Sequence, residues 1–255
     1  MKHFFSQFLL GLVSYPRAIK FVVKHNLYLY FLFPLSLSLL IWWGGYELRL
    51  DLEDFEVEDP GSMRGLIWVM AKMILLKTLI FLLIEARKYI VMIILSPVMY
   101  KLSFRSEELL TGNTYATSWK QYWTDTKRAL RILFGNFVVQ YAISLVWIVF
   151  AMLFPPLRDY TSGVLLAIGF YFYGFSFMDY INERYRKGID ESVDFVRKHS
   201  GFAIGIGAIF SVMFLIPYEI GITFAVPLAV VASTLGMDKI MGGLANNPHA
   251  RKKEV

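Results

Sequence analysis

The chain has 255 residues, 56% of them apolar and 18% charged, with a formal net charge of +6 and a mean hydropathy of +0.51. Soluble domains carry roughly a quarter charged residues, and here the apolar residues form long uncharged blocks, which point to a membrane protein and away from a soluble enzyme or nucleic-acid binder. There is no cysteine, so disulfides, thiolate catalysis and cysteine-ligated metals are excluded, and the four histidines (His3, His25, His199, His249) lack metal-ligand spacing.

Residues 3–24 read as an amphipathic helix bent near Pro16. Phe4, Phe8, Tyr15, Ile19 and Val22 fall on one face, and Gln7, Ser14, Arg17, Lys20 and Lys24 on the other. The apolar run Phe8–Val13 is too short for a signal peptide and lacks a small-residue cleavage site. An interfacial helix over 1–25 is expected. The plainer alternative is a helix packed on the rest of the protein.

Residues 27–46 carry no charge and form the first expected span, about 30 Å long as a helix. Tyr28, Tyr30, Trp42, Trp43 and Tyr46 lie near its ends, where aromatic belts form. An acidic loop follows, from Glu47 to Asp59, with Pro60 and Gly61 as breakers.

Residues 65–100 as one helix would run about 54 Å, longer than a hydrocarbon core of roughly 30 Å. The second span is therefore expected over 65–84. Past Glu85, Arg87 and Lys88 the helix continues out of the bilayer or along its surface to Ser96–Pro97, where Pro97 is expected to break it. Residues 101–131 read as a polar, basic connection. Apolar blocks 132–154 and 163–182 are joined by a turn, and 184–198 is basic again.

Residues 201–216 and 222–235 are apolar arms, each shorter than the usual 17–25 residues of a crossing, separated at Pro217–Gly221. They read as a re-entrant hairpin with both ends on one side. Arg251, Lys252 and Lys253 lie in a basic tail, 241–255. The expected fold is all-α and polytopic: one membrane domain, 26–240, with long spanning helices and partly penetrating hairpins. All the basic stretches fall on one side if the chain crosses four times, with 132–154 and 163–182 as full spans, and adds a same-side hairpin. That side is expected to be the cytoplasm, which puts both termini there.

Few residues are placed for chemistry. Lys72 and Lys77 lie inside the second span, and an intramembrane lysine is a candidate for an ion pathway, although Lys72 can snorkel to the interface and Lys77 can pair with another helix. Asn136, Gln140 and Ser144 recur every four residues as one stripe, suited to a hydrophilic pathway or to hydrogen bonding a neighbouring helix. Glu219 sits in the break of the last hairpin beside Pro217 and needs a partner or water. Asp179 and Glu183 share a face, readable as a cation site or as a helix end paired with Arg184 or Arg186. Gly201, Gly205 and Gly207 suit close helix packing or the approach of a helix N-terminus to an anion. With no nucleophile–base–orienter set, no enzyme activity, cofactor or metal is expected, and the expected partner is the lipid bilayer.

Three stretches carry a family resemblance: LSPVMYKLSFRSEELLTG (95–112), FMDYINERYRKG (177–188) and GFAIGIGAIFSVMFLIPYEIGITFAVPLAVVASTL (201–235). In this order they resemble the CysZ-type sulfate permease family, also called the etoposide-induced-protein family. The resemblance implies two long spanning helices, partly penetrating hairpins that include 132–182, a homo-oligomer, and uptake of sulfate across the inner membrane. It also exposes a departure. Sulfate-transporting members carry a Gly-[Leu/Ile]-Arg-Arg stretch before the first span, where this chain reads His25–Asn26–Leu27–Tyr28–Leu29. The guanidinium forks that suit a dianion are missing. The reading is a permease or channel-like protein moving a small solute, with an anion such as sulfate as one candidate. The alternative is a non-transporting membrane scaffold of the same fold. A polar cavity at Lys77 or the Asn136 stripe favours the first, and a dry, packed interior the second.

Overall fold

The computed structural model describes residues 2–53, 62–114, 119–216, 220–246 and 251–252. In chain order the α-helices are α1 (Lys2–Lys24), α2 (Leu32–Glu53), α3 (Met63–Thr111), α4 (Trp119–Leu153), α5 (Thr161–Arg184), α6 (Ile189–Lys198), α7 (Ser200–Met213) and α8 (Ile220–Ile240). A short 3-10 turn, Leu27–Phe31, joins α1 to α2, and another, Pro155–Tyr160, joins α4 to α5. The strand pairs Asn113–Thr114 and Arg251–Lys252 are antiparallel.

Helix boundaries follow local chemistry. Ser62 caps α3 by accepting from the Gly65 N–H at 3.1 Å. At its other end Gly112, at φ 74°, donates its N–H to the Glu108 carbonyl. Asn26 takes the left-handed conformation, φ 54°, which breaks the helix between α1 and the first span. In α6, Asp190 and Glu191 occupy the first turn and Arg197 and Lys198 the last, complementing the helix dipole.

Among the described residues, four segments are long and apolar enough to cross a membrane: Leu27–Gly44, Thr126–Leu153, Pro155–Arg184 and Ile220–Ile240. α8 is apolar on all sides and occupies the centre, with Ala225, Val226, Ala229, Val230, Val231 and Ala232 all buried. It packs on α1, α2, α3, α5 and α7. The α4–α5 hairpin is covered at its base only. Beyond Gln140 its side chains are largely exposed apolar ones, including Val146, Met152 and Leu153, as a lipid-facing surface requires.

Three expectations change. α3 runs unbroken through Pro97 for 49 residues, about 74 Å. Proline removes one backbone hydrogen bond at a cost of ~3 kcal/mol. Burial of Leu95, Met99, Tyr100 and Leu102 on the same stretch outweighs that. The polar connection 101–131 is largely helix, as the end of α3 and the start of α4. The second arm of the last hairpin, α8, is 21 residues long, so it is not short. Two separate helices do replace 201–235. Pro217 and Glu219 lie outside the described residues, and the Lys77 side chain lies outside the described side chains.

α1 packs on α7 and α8. It approaches so closely that a Cβ at Gly11 would sit 2.9 Å from the Gly205 Cα. α7 meets α5 in the same manner: a Cβ on Gly207 would fall on the Phe170 carbonyl, and one on Gly174 on the Ala203 carbonyl. Forced overpacking costs typically ~1–3 kcal/mol and occasionally more. Gly207→Val is therefore expected to lower the melting temperature of the purified protein in detergent, whereas Gly44→Ala, with nothing within 4 Å of its Cβ, is expected to leave it unchanged.

Candidate functional site

Two polar layers lie between the helices. The upper one contains the predicted stripe on α4. Asn136 Nδ2 donates to Ser176 Oγ on α5 at 2.9 Å. The Tyr89 hydroxyl on α3 donates to Gln140 Oε1 at 2.6 Å, and Gln140 Nε2 donates to the Tyr173 hydroxyl at 3.4 Å. The rings of Tyr89, Phe137, Tyr173 and Phe210 pack edge-on or tilted around this layer. Asn136 and Gln140 thus fasten α3, α4 and α5 together among packed aromatic rings, while Ser144 is only half-buried.

The lower layer is charged. Arg184, the last residue of α5, donates from Nε to Glu107 Oε2 on α3 at 2.5 Å, and both side chains are buried. Its Nη1 donates to Ser103 Oγ at 2.9 Å, and the Ser103 hydroxyl lies 3.3 Å from Thr234 on α8. One turn earlier on α5, Asp179 accepts from Arg128 of α4 at 3.2 Å and from Ser192 of α6 at 2.7 Å. Asn182 donates to Ser192 Oγ at 2.9 Å and accepts from Lys187 Nζ at 3.2 Å. The end of α5 thereby binds α3, α4, α6 and, through Ser103, α8. Beneath it, Asn113 Nδ2 and the Tyr185 hydroxyl both donate to the Leu244 carbonyl, and Asp238 accepts from the Leu244 N–H. The tail therefore begins with a docked residue.

The structure brings Asp179 and Arg184 into one layer, but their ion-pair partners come from other helices. The expected pairing of Asp179 with Arg184 or Arg186 at the same helix end is replaced by Arg128 and Glu107. Glu183 is half-buried on the next turn, and Lys72 is exposed on α3. Glu107, Ser103, Arg128, Asn182 and Ser192 were missed. The signal for the first two was present: Leu95, Met99, Leu102, Ser103, Ser106 and Glu107 recur at helical spacing straight through Pro97. Among the described residues there is no His/Asp/Glu cluster able to hold a metal. An open apolar groove of about 440 Å³ lies between α2 and α8, with the hydroxyls of Ser38 and Thr223 bonded to each other at 2.9 Å in its wall.

A sequence profile described as "Sulfate transporter CysZ/Etoposide-induced protein 2.4" matches residues 14–224 of the 255. The chain belongs to this family. No single curated protein matches it. The CysZ-type match spans the second half of α1 through the start of α8, so both polar layers lie within it except for Thr234. The joint after α1 holds Asn26 in its left-handed turn, Leu27 buried, and Tyr28 and Leu29 exposed.

Removing one partner of a buried pair strands the other charge, at ~3–5 kcal/mol, whereas replacing both by apolar residues is often neutral. Arg184→Met is expected to destabilise the protein strongly, and Arg184→Met combined with Glu107→Leu much less, as measured by thermal unfolding in detergent. Lys187 tests the electrostatics of the α5–α6 turn. Partial burial lowers its amine to about 8, against the upward pull of Glu191. Between about 8 and the ordinary lysine value, the unfolded chain binds the extra proton. Lys187 therefore opposes folding below about 8, and stability rises with pH as its amine deprotonates. Lysine-methyl NMR after reductive methylation should show one resonance titrating near 8 that disappears in Lys187→Arg.

Proposed function

We propose that this CysZ-type protein is a permease or channel-like protein of the cytoplasmic membrane, held here in a closed form. It moves a small polar solute. The observation that carries this reading is the buried charged layer at the end of α5. Removing charge from water is costly, and a buried ion pair adds little stability over an apolar replacement. Ionisable groups buried between helices at the end of a span accordingly suit the mouth of a solute or proton route. Five helices meet at Arg184, Glu107, Asp179 and Arg128, so this layer is the polar mouth of the route. The Tyr89–Gln140–Tyr173 layer closes it. In this arrangement α7, 14 residues and about 21 Å long, is too short to cross a ~30 Å core, and α7–α8 enters and leaves from the cytoplasmic side.

The solute is not selected by an arginine fork before the first span. In the charged layer Arg128 and Arg184 are each paired with a carboxylate, Asp179 and Glu107, so neither guanidinium is free to fork onto a dianion. Weak or absent sulfate binding is the expected result for the purified protein at low ionic strength.

The scaffold reading has one observation in its favour: Asn136 and Gln140 are occupied by neighbouring helices, as in a protein whose interior only packs. Proteoliposome flux with a panel of small anions, sulfate included, separates the two. Transport predicts flux of at least one solute that falls at least tenfold in the Glu107→Gln protein, provided that variant elutes as a folded species. A folded protein with no flux across the panel establishes the scaffold reading. Topology is tested separately in this cysteine-free chain. Arg197→Cys is expected to be labelled only from the cytoplasmic side and Ser62→Cys only from outside, and the reverse pattern would overturn the orientation.

A further inference from the structure

Helix α1 has three sides, which two-sided amphipathic spacing does not describe. Gln7, Gly11, Ser14, Tyr15, Ala18 and Val22 form the side packed on α7 and α8. At about 100° per residue, the remaining surface divides in two. On one flank Phe5, Leu9, Ile19 and Val23 are exposed, the last at 69%. On the other, Arg17, Lys20 and Lys24 are exposed over the last two turns. The apolar residues that would fill the buried side of an ordinary soluble helix are therefore on the outside, beside a row of cations.

No carboxylate among the described residues pairs with Arg17, Lys20 or Lys24. The chain contains no aspartate or glutamate before Glu47. A water-facing helix has no use for the exposed phenylalanine and aliphatic side chains. A helix wholly in hydrocarbon would not carry three cations along one flank. Both flanks are satisfied at once at the boundary of a bilayer, with acyl chains against one and headgroups against the other. Such a row of positive charge selects anionic headgroups.

We propose that α1 is a docking surface for anionic phospholipid. The phosphates sit along Arg17, Lys20 and Lys24, and the acyl chains lie along Phe5, Leu9, Ile19 and Val23. The inference is independent of whether the protein conducts a solute. Because the opposite side of α1 is locked against α7 and α8, lipid held on this helix acts on the helix bundle itself.

The test uses the full-length protein in neutral detergent, titrated with phosphatidylglycerol or phosphatidylcholine and read by native mass spectrometry. Each basic residue near an anionic surface contributes roughly a five-fold gain in binding, so three contribute about a hundredfold. Wild type is expected to prefer phosphatidylglycerol. Arg17→Gln/Lys20→Gln/Lys24→Gln should abolish most of that preference, while neutralising the exposed Lys127, Arg197 and Lys198 in the same way should leave it intact. Phe5→Ser/Val23→Ser should weaken both lipids alike. Inorganic phosphate alone should not compete at millimolar concentration. The proposal is overturned if wild type binds both lipids equally, if the two triple variants lose the preference equally, or if phosphate displaces the lipid.

Discussion

The arrangement depends on how closely three helix backbones approach one another. In a lipid setting, apolar side chains gain little by leaving the bilayer for the protein, so helices associate through close van der Waals fit. α1, α5 and α7 obtain that fit by omitting side chains at Gly11, Gly174, Gly205 and Gly207, where a single carbon would meet backbone. The sheet of three helices that results is the surface on which α8 is buried. It also fixes the height of the end of α5, and with it the positions of Asp179 and Arg184.

From that fixed point the polar chemistry follows. Arg184 and Asp179 reach outward from one helix end to partners on α3, α4 and α6, so one short segment joins elements that are far apart in sequence. The aromatic and amide groups above form an uncharged fastening of α3 to α4 and α5. The two layers answer different demands. The upper satisfies amides that would otherwise be stranded among apolar groups. The lower holds charges, which no packing requirement explains.

Much of the fold was legible because membrane segments announce themselves by length and lack of charge. The first span, the 132–182 hairpin and the division of 201–235 were all readable in this way. What was not legible is where helices extend beyond the bilayer. The polar face of Lys101–Leu110 reads as a loop when compared with lipid-facing segments, yet it follows the same 3.6-residue period as the apolar turns before it. Pro97 misled for a related reason: its cost is local, and the packing that outweighs it comes from α8, distant in sequence. The partners of Asp179 and Arg184 were hidden because a salt bridge between helices leaves no spacing in the sequence. The third side of α1 was also hidden, since Gly11, Ser14 and Ala18 do not read as a core until their neighbours are seen.

The length of α3 has a mechanical consequence. At about 74 Å it is more than twice the thickness of a hydrocarbon core, so a large part of it is a rod standing clear of the lipid. One end of that rod is clamped to α5 through Glu107. A clamped rod behaves as a lever: a small change of tilt inside the bilayer becomes a displacement of several ångströms at the far end. Bilayer thickness and lateral tension, which act on tilt, would therefore be felt at the Glu107–Arg184 joint as torque.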